Sequence, residues 1–218
     1  MNKLPTLVVG LGICLTQWVA EAQTSSTVGR IVAATQELIA VDIADNSREI
    51  LRRSEIYTGE SIHTAGTGYA LIRMSDGALI ALGCNSSLEI QSYDYSDSQN
   101  DSVIINLLKG RLRTVTGAVN KIHLANYRLN LNGAWANTDG ADFEATLLED
   151  GSIYFAVYDG IITVSNSLGA LTLGADQDVD FARLEAGQPP TPLRFYPQQL
   201  SLLTLSTTPT SQTGSTCQ

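Results

Sequence analysis

Lys109, Arg111 and Arg113 stand at every second position of LLKGRLRTVTG (107–117), in a chain whose formal net charge is -9. Alternate residues of a strand share a face, so this spacing makes a short basic stripe, with Leu108, Leu112 and Val115 disposed around the other side. Such a stripe suits an acidic partner strand or polymer. It is equally the solvated face of a strand, or one that pairs with acids such as Glu144 and Glu149. Trp135, in GAWAN, is the aromatic of most interest. In the core it only fills space; on an exposed β face its ring would stack on a sugar.

Other residue types carry weaker chemistry. YDYSDSQND (93–101) gathers Asp94, Asp97 and Asp101, oxygen ligands suited to Ca²⁺, but without the D-x-[DN]-x-[DN]-G order, and a polar hairpin loop explains it more simply. The only histidines, His63 and His123, are far apart, and no CxxC or HxxxH spacing exists, which argues against zinc. No G-x-S-x-G occurs, and so many acids make a pair of hydrolytic carboxylates easy to find by chance. The residues therefore point to no enzyme, metal or cofactor. Cys84 and Cys217 allow two readings. Paired in an oxidising compartment, they would close a loop of about 130 residues, worth roughly 5 kcal/mol by chain entropy. Otherwise Cys84 is a buried thiol and Cys217 sits in a loose tail.

These side chains need elements to position them. The chain opens MNKLPTLVVGLGICLTQWVAEA: one cation, an apolar run from Leu4 to Ala20, and a small-x-small end at Ala20-Glu21-Ala22. That is the pattern of a secretory signal cut after Ala22, and the run is short for a spanning helix. It predicts a periplasmic or secreted protein with no stable membrane anchor. Its removal takes Lys3 and Glu21 together, so the charge is unchanged. An acidic surface of this size disfavours nucleic acid and anionic membrane as partners.

From Pro5 to Pro189 there is no proline, and then Pro189, Pro190, Pro192, Pro197 and Pro209 crowd the end. A long proline-free stretch suits continuous strand pairing. Within 27–183, short runs rich in Val, Ile, Leu, Thr and Tyr are closed by glycine signals, among them QELIAVDI, GYALIRM, SVIINLL, RLRTVT, KIHLA, DFEATLL, SIYFAVY and IITVS. Asp76-Gly77, Asp150-Gly151 and Asp159-Gly160 lie between such runs, as turn pairs. No window shows a helical apolar period outside the leader. The expected fold is all-β, with many short strands in a β-sandwich, β-roll or solenoid-like jelly roll. The expected division is a leader over 1–22, one domain over 23–187, and a flexible Pro/Ser/Thr-rich tail over 188–218.

The segment YTGESIHTAGTGYALIRMSDGALIAL (57–82) resembles the opening of the FecR-type periplasmic domain. Gly59-Glu60, Ile62, Thr64, Gly68 and Ala70 fill the first half of its signature, and Asp76-Gly77 the second. LLKGRLRTVTG is similar to a later element of that family through Gly110, Arg113, Thr116 and Gly117. LNGAWANTDGADF matches a further one at Ala134, Gly140, Asp142 and Phe143. There Leu131, Asn132, Asp139 and Ala141 replace the family's Thr, Pro, Arg and second Thr. DGIITVSN (159–166) resembles a closing strand. The likeness covers roughly 55–178. It implies an all-β domain that receives a signal by protein contact in the envelope, here in a stand-alone exported form.

The reading is a non-enzymatic binding or sensing module whose partner is an envelope protein. Lys109, Arg111 and Arg113 are its candidate contacts. The alternative is a carbohydrate- or peptidoglycan-binding protein that uses Trp135.

Overall fold

The computed structural model describes residues 26–35, 38–96, 98, 100–121, 126–175, 177–198, 200, 203–205 and 207. The expected leader, His123 and Cys217 lie outside them. In chain order the strands are β1 (Thr27–Ala34), β2 (Leu38–Val41), β3 (Ser47–Glu49), β4 (Glu55–Tyr57), β5 (Ser61–Thr64), β6 (Ala70–Met74), β7 (Leu79–Leu82), β8 (Ser87–Asp94) and β9 (Ser102–Val115). After a 3-10 turn at Ala118–Lys121 come β10 (Tyr127–Leu131), β11 (Ala134–Leu147), β12 (Ile153–Asn166), β13 (Gly169–Gly174), β14 (Phe181–Leu184) and β15 (Thr191–Leu193). Among the described residues no helix is long and apolar enough to cross a membrane.

Three long strands organise the fold. The first half of β9 pairs with β8 and, in parallel, with β10; its second half pairs with β7 and β11. The inward side chains change phase between the halves. Val103, Ile105 and Leu107 are buried before Gly110, and Leu112 and Thr114 after it. β11 and β12 do the same around Gly140 and Gly160. Ala134 and Ala136 give way to Phe143 and Ala145, and Phe155 gives way to Ile162 and Val164. Each long strand therefore leaves one layer and enters the other. The first layer runs β3-β2-β5-β8-β9-β10-β11-β12-β13, and the second β4-β1-β6-β7-β9-β11-β12-β14-β15. One apolar cluster fills the space between them, from Ile31, Ile72 and Leu82 on one side to Leu88, Ile90 and Leu129 on the other.

Glycine is required where strands bend this closely. Gly110 has φ +79, and a Cβ there would run into Ser86. Gly160 has φ +78, and a Cβ would strike the carbonyl oxygen of Gly140. Asp159-Gly160, expected as a turn, is therefore a bend inside β12. SIYFAVY and IITVS form one strand, as do SVIINLL and RLRTVT. Asp76-Gly77 and Asp150-Gly151 do close hairpins, β6–β7 and β11–β12, with Gly77 N donating to the Met74 carbonyl and Gly151 N to that of Leu148. The start of KIHLA belongs to the 3-10 turn, and its remaining residues lie outside those described.

The signature residues of 57–82 are structural. Ile62 and Ala70 are fully buried, and the buried Glu60 carboxylate accepts from Arg48 and from Tyr57 N. Asp76 accepts from Ala78 N, Val119 N and the Tyr93 hydroxyl, and a Cβ at Gly117 would strike its carboxylate. The tail also differs from expectation. β15 pairs with β14 as an edge strand, where Pro192 removes no needed donor. Farther on, Leu203 is 1% exposed and Leu205 packs on Tyr69, Leu71 and Ala81. The apolar residues of this segment are enough to dock it despite its prolines.

Candidate functional site

On the outer face of the second layer, Arg111 lies opposite Thr146, Arg113 opposite Glu144, and Val115 opposite Asp142. A bulge in the β11–β12 pairing, between Asp142↔Asp159 and Phe143↔Val157, leaves Tyr158 as the extra residue. Bulges re-aim side chains, and here the Tyr158 ring comes to lie under a guanidinium. Arg113 Nε donates to Asp142 Oδ1 and Nη2 to Oδ2, both at 2.8 Å, and its Cζ is 3.8 Å from the Tyr158 ring centroid. This two-pronged pair plus cation–π contact fixes the guanidinium plane.

The segment around Leu203 closes the site. Arg113 Nη1 donates to the Leu203 carbonyl at 3.0 Å, and Leu203 N donates to Glu144 Oε2 at 2.7 Å. The Tyr69 hydroxyl donates to the Thr204 carbonyl at 3.1 Å, and the Tyr158 hydroxyl to Glu144 Oε2 at 3.2 Å. The hydroxyls of Tyr196 and Thr146 are 3.1 Å apart. Glu144 is fully buried, and its Oε1 has no hydrogen-bond partner among the described residues. Burial pushes its carboxyl above the usual range, against the opposing pull of the Leu203 N–H, Arg111, the Tyr158 hydroxyl and Arg113. The hydrogen bonds to Asp142 raise Arg113 in turn, and burial raises the Tyr158 and Tyr196 hydroxyls. Arg113 and the two tyrosine hydroxyls thus hold their protons at neutral pH more firmly than they would in water. That suits a fixed hydrogen-bonding frame.

The basic stripe is not one open face. Arg111 and Arg113 share the outer side of the second layer, but Arg111 is 6% exposed and Arg113 is engaged as described. Lys109 leaves the series at the Gly110 bend and pairs with Glu149 at 3.3 Å, both exposed. It borders a cleft of about 570 Å³ with Asn106, Asn130, Asn132 and Glu149. Leu108, expected on the inner side, is exposed because it precedes the change of phase.

Trp135 is neither in the core nor fully exposed. It is half-buried on the outer face of the first layer, in register with Asn130 and Ser165. Across that face Asn106 Nδ2 donates to Glu89 Oε2 at 2.6 Å, and Asn130 Nδ2 donates to Asn106 Oδ1 at 3.2 Å. Asn130 Oδ1 is buried without a hydrogen-bond partner among the described residues.

Cys84 is buried and disulfide-bonded, which replaces the free-thiol reading; Cys217 lies outside the described residues. In the 93–101 loop, the Asp101 carboxylate accepts from the N–H and hydroxyl of both Ser96 and Ser98. Burial acts to raise Asp101, but these bonds outweigh it and hold the group down at about 2. They tie the loop to itself. Sequence reasoning missed Asp142, Tyr158 and Leu203. The available signal for Asp142 was its place in the family motif GADF.

Residues 60–163 match the model of a family described as FecR protein. No curated protein matches the chain. Two crystal structures of one Parabacteroides distasonis protein, described as a candidate anti-sigma factor, align with a TM-score of 0.50 at 12% identity. The alignment covers 61% of this chain and 58% of that one, so less than two thirds of that protein's length is matched. At this identity the likeness is one of fold. A structure described as a cell surface anchoring domain aligns with a TM-score of 0.29 at 25% identity, over 29% of this chain and 84% of that one. The signature residues, the family match and the shared β architecture agree: this chain carries a FecR-type domain, with residues 60–163 as its core.

Proposed function

We propose that this chain is a non-enzymatic sensing or regulatory module, periplasmic or secreted, that acts by contact with an envelope protein at the outer face of its second layer. The observation that carries this reading is the way that face holds an extended piece of main chain. Arg113, Glu144 and Tyr69 meet consecutive backbone groups of Leu203 and Thr204, and the Leu203 side chain is buried. Backbone hydrogen bonds with an apolar anchor are how folded domains recognise extended peptides. A partner strand offering the same groups would take the place of residues 203–205. Arg111 and Arg113 are then contacts that become accessible when the segment lifts.

The test is crosslinking from envelope extract with the natural chain, with Leu203→Asp, and with Leu203→Asp combined with Arg113→Glu. Leu203→Asp, which dislodges the segment, is expected to capture one partner more strongly than the natural chain, and the double variant to lose it. Equal capture by all three overturns the reading.

A second reading has an observation of its own. The amide row of Asn106 and Asn130 beside Trp135, with the unsatisfied Asn130 Oδ1 and the adjoining cleft, offers hydroxyl-binding groups next to an aromatic ring. Such a face suits a glycan. Peptidoglycan fragments would then quench tryptophan fluorescence in the natural chain and not in Trp135→Ala.

A further inference from the structure

Four of the chain's 13 lysines and arginines, drawn from distant parts of the sequence, meet around one groove. Arg30 on β1, Arg73 on β6, and Arg52 and Arg53 on the turn before β4 line a space of about 420 Å³ with Gly29, Val32 and Met74. All four arginines are exposed. The register sets Arg30 directly between Glu55 and Arg73. Glu55 pairs with Arg30 at 3.0 Å, while Arg73 and Arg53 form no ion pair with any described residue. Like charges opposite one another on neighbouring strands are unfavourable, and one carboxylate cannot balance four guanidiniums. In a chain of net charge -9, this spot is strongly positive.

The backbone adds a second observation. Residues 51–54 form a turn closed by Ser54 N on the Leu51 carbonyl, and Arg53 occupies its third position with φ +77. Glycine or asparagine fits that position; a long side chain there is strained. Strained residues of this kind cluster where a side chain must be held in a particular place. Arg53 N also donates to the Ile31 carbonyl and Arg52 Nε to the Val32 carbonyl, which anchors the turn against β1.

We propose that this groove binds an acidic, extended peptide segment of a partner protein. The inference rests on the reading of the domain as a protein-binding module, and adds a second surface to it. The cationic rim matches carboxylates, and guanidinium forks grip carboxylates two-pronged. The apolar lining of the groove, with half-buried Val32 in it, suits the apolar side chains between those carboxylates. A bare inorganic anion would leave that lining uncovered.

The test uses the full chain and a fluorescein-labelled peptide of alternating aspartate and leucine, read by anisotropy at low and moderate salt. Saturable binding that weakens with salt is expected. Arg73→Glu should weaken it by about tenfold or more, whereas Arg194→Glu, an equal charge change at an exposed residue outside the groove, should leave it unchanged. Arg53→Gly should weaken binding while its Tm stays the same or rises, because the strained position is relieved. No saturable binding, or binding indifferent to Arg73→Glu, overturns the proposal. Displacement by inorganic pyrophosphate as effective as by unlabelled peptide also overturns it, in favour of a small-anion site. Partner capture through the Leu203 face is read separately, so either surface can fail while the other stands.

Discussion

Replacing Leu203 with alanine distinguishes a displaceable strap from an element of the core. Leu203 is 1% exposed, and alanine would remove three side-chain carbons from that contact. At about 0.8 kcal/mol per methylene the loss is about 2 kcal/mol, which multiplies the equilibrium constant for lifting the segment about 30-fold. The same change in a rigid core would cost 2–5 kcal/mol of global stability. A strap behaves otherwise: once it detaches, further loss does not propagate into the sandwich. Hydrogen exchange reads the first quantity at the Leu203 N–H, which Glu144 protects in the docked state. Thermal melting reads the second. The expected result is a rise of about 30-fold in exchange at Leu203 with a Tm lowered by no more than about 2–4 °C. A large cooperative loss of Tm, with exchange at Leu203 tied to global unfolding, would refute the strap and with it the displacement mechanism.

Glu144 gives a pH prediction. Its carboxyl is raised by burial, so the folded state binds this proton more tightly than the unfolded chain does. Its contribution to stability is therefore present at acid pH and lost as pH climbs from the ordinary glutamate value through the raised one. Glu144→Gln cannot ionise and should gain on the natural chain as pH rises above about 4, measured by urea unfolding; a flat or reversed gap refutes this. Gly160→Ala should destabilise by more than about 3 kcal/mol, because a Cβ meets the Gly140 carbonyl and φ is +78. Gly77→Ala, with open space around it, should cost only about 1 kcal/mol, and comparing the two melts checks both. Lys109→Ala removes an exposed ion pair and should shift stability by less than about 1 kcal/mol in a urea titration.

What could be read in the sequence was local. Alternating runs announced strands, and Asp76-Gly77 and Asp150-Gly151 announced hairpins. The signature from Gly59 to Gly77 pointed to the family because its residues meet within one short stretch of chain. What could not be read was set by contacts between distant positions. The Gly110 bend changes which side of β9 faces inward, so even spacing misassigned Lys109 and Leu108. Gly160 carries the same dipeptide as a turn, and only the carbonyl of Gly140 pressed against it makes it a bend. Arg113 was expected near Glu144 or Glu149; the register does set it opposite Glu144, but its guanidinium turns aside to grip Asp142. The arginines at 30, 52, 53 and 73 have no pattern in sequence, since β1, β6 and the turn before β4 meet only after folding. The Leu203 segment looked like a tail because composition records polarity and proline, not the outer apolar cluster of Tyr69, Leu71 and Ala81 on which Leu205 packs.

The three strands that cross between layers at Gly110, Gly140 and Gly160 leave neither layer able to exist without the other. Removing β9, β11 or β12 takes the middle out of both sheets at once. A half-folded form with one sheet intact and its apolar face bare has no strands to build it from. The chain should therefore open in one step rather than peel layer from layer. One-step opening of the two layers leaves no state in which a single sheet stands with its apolar face bare for a neighbouring chain to join.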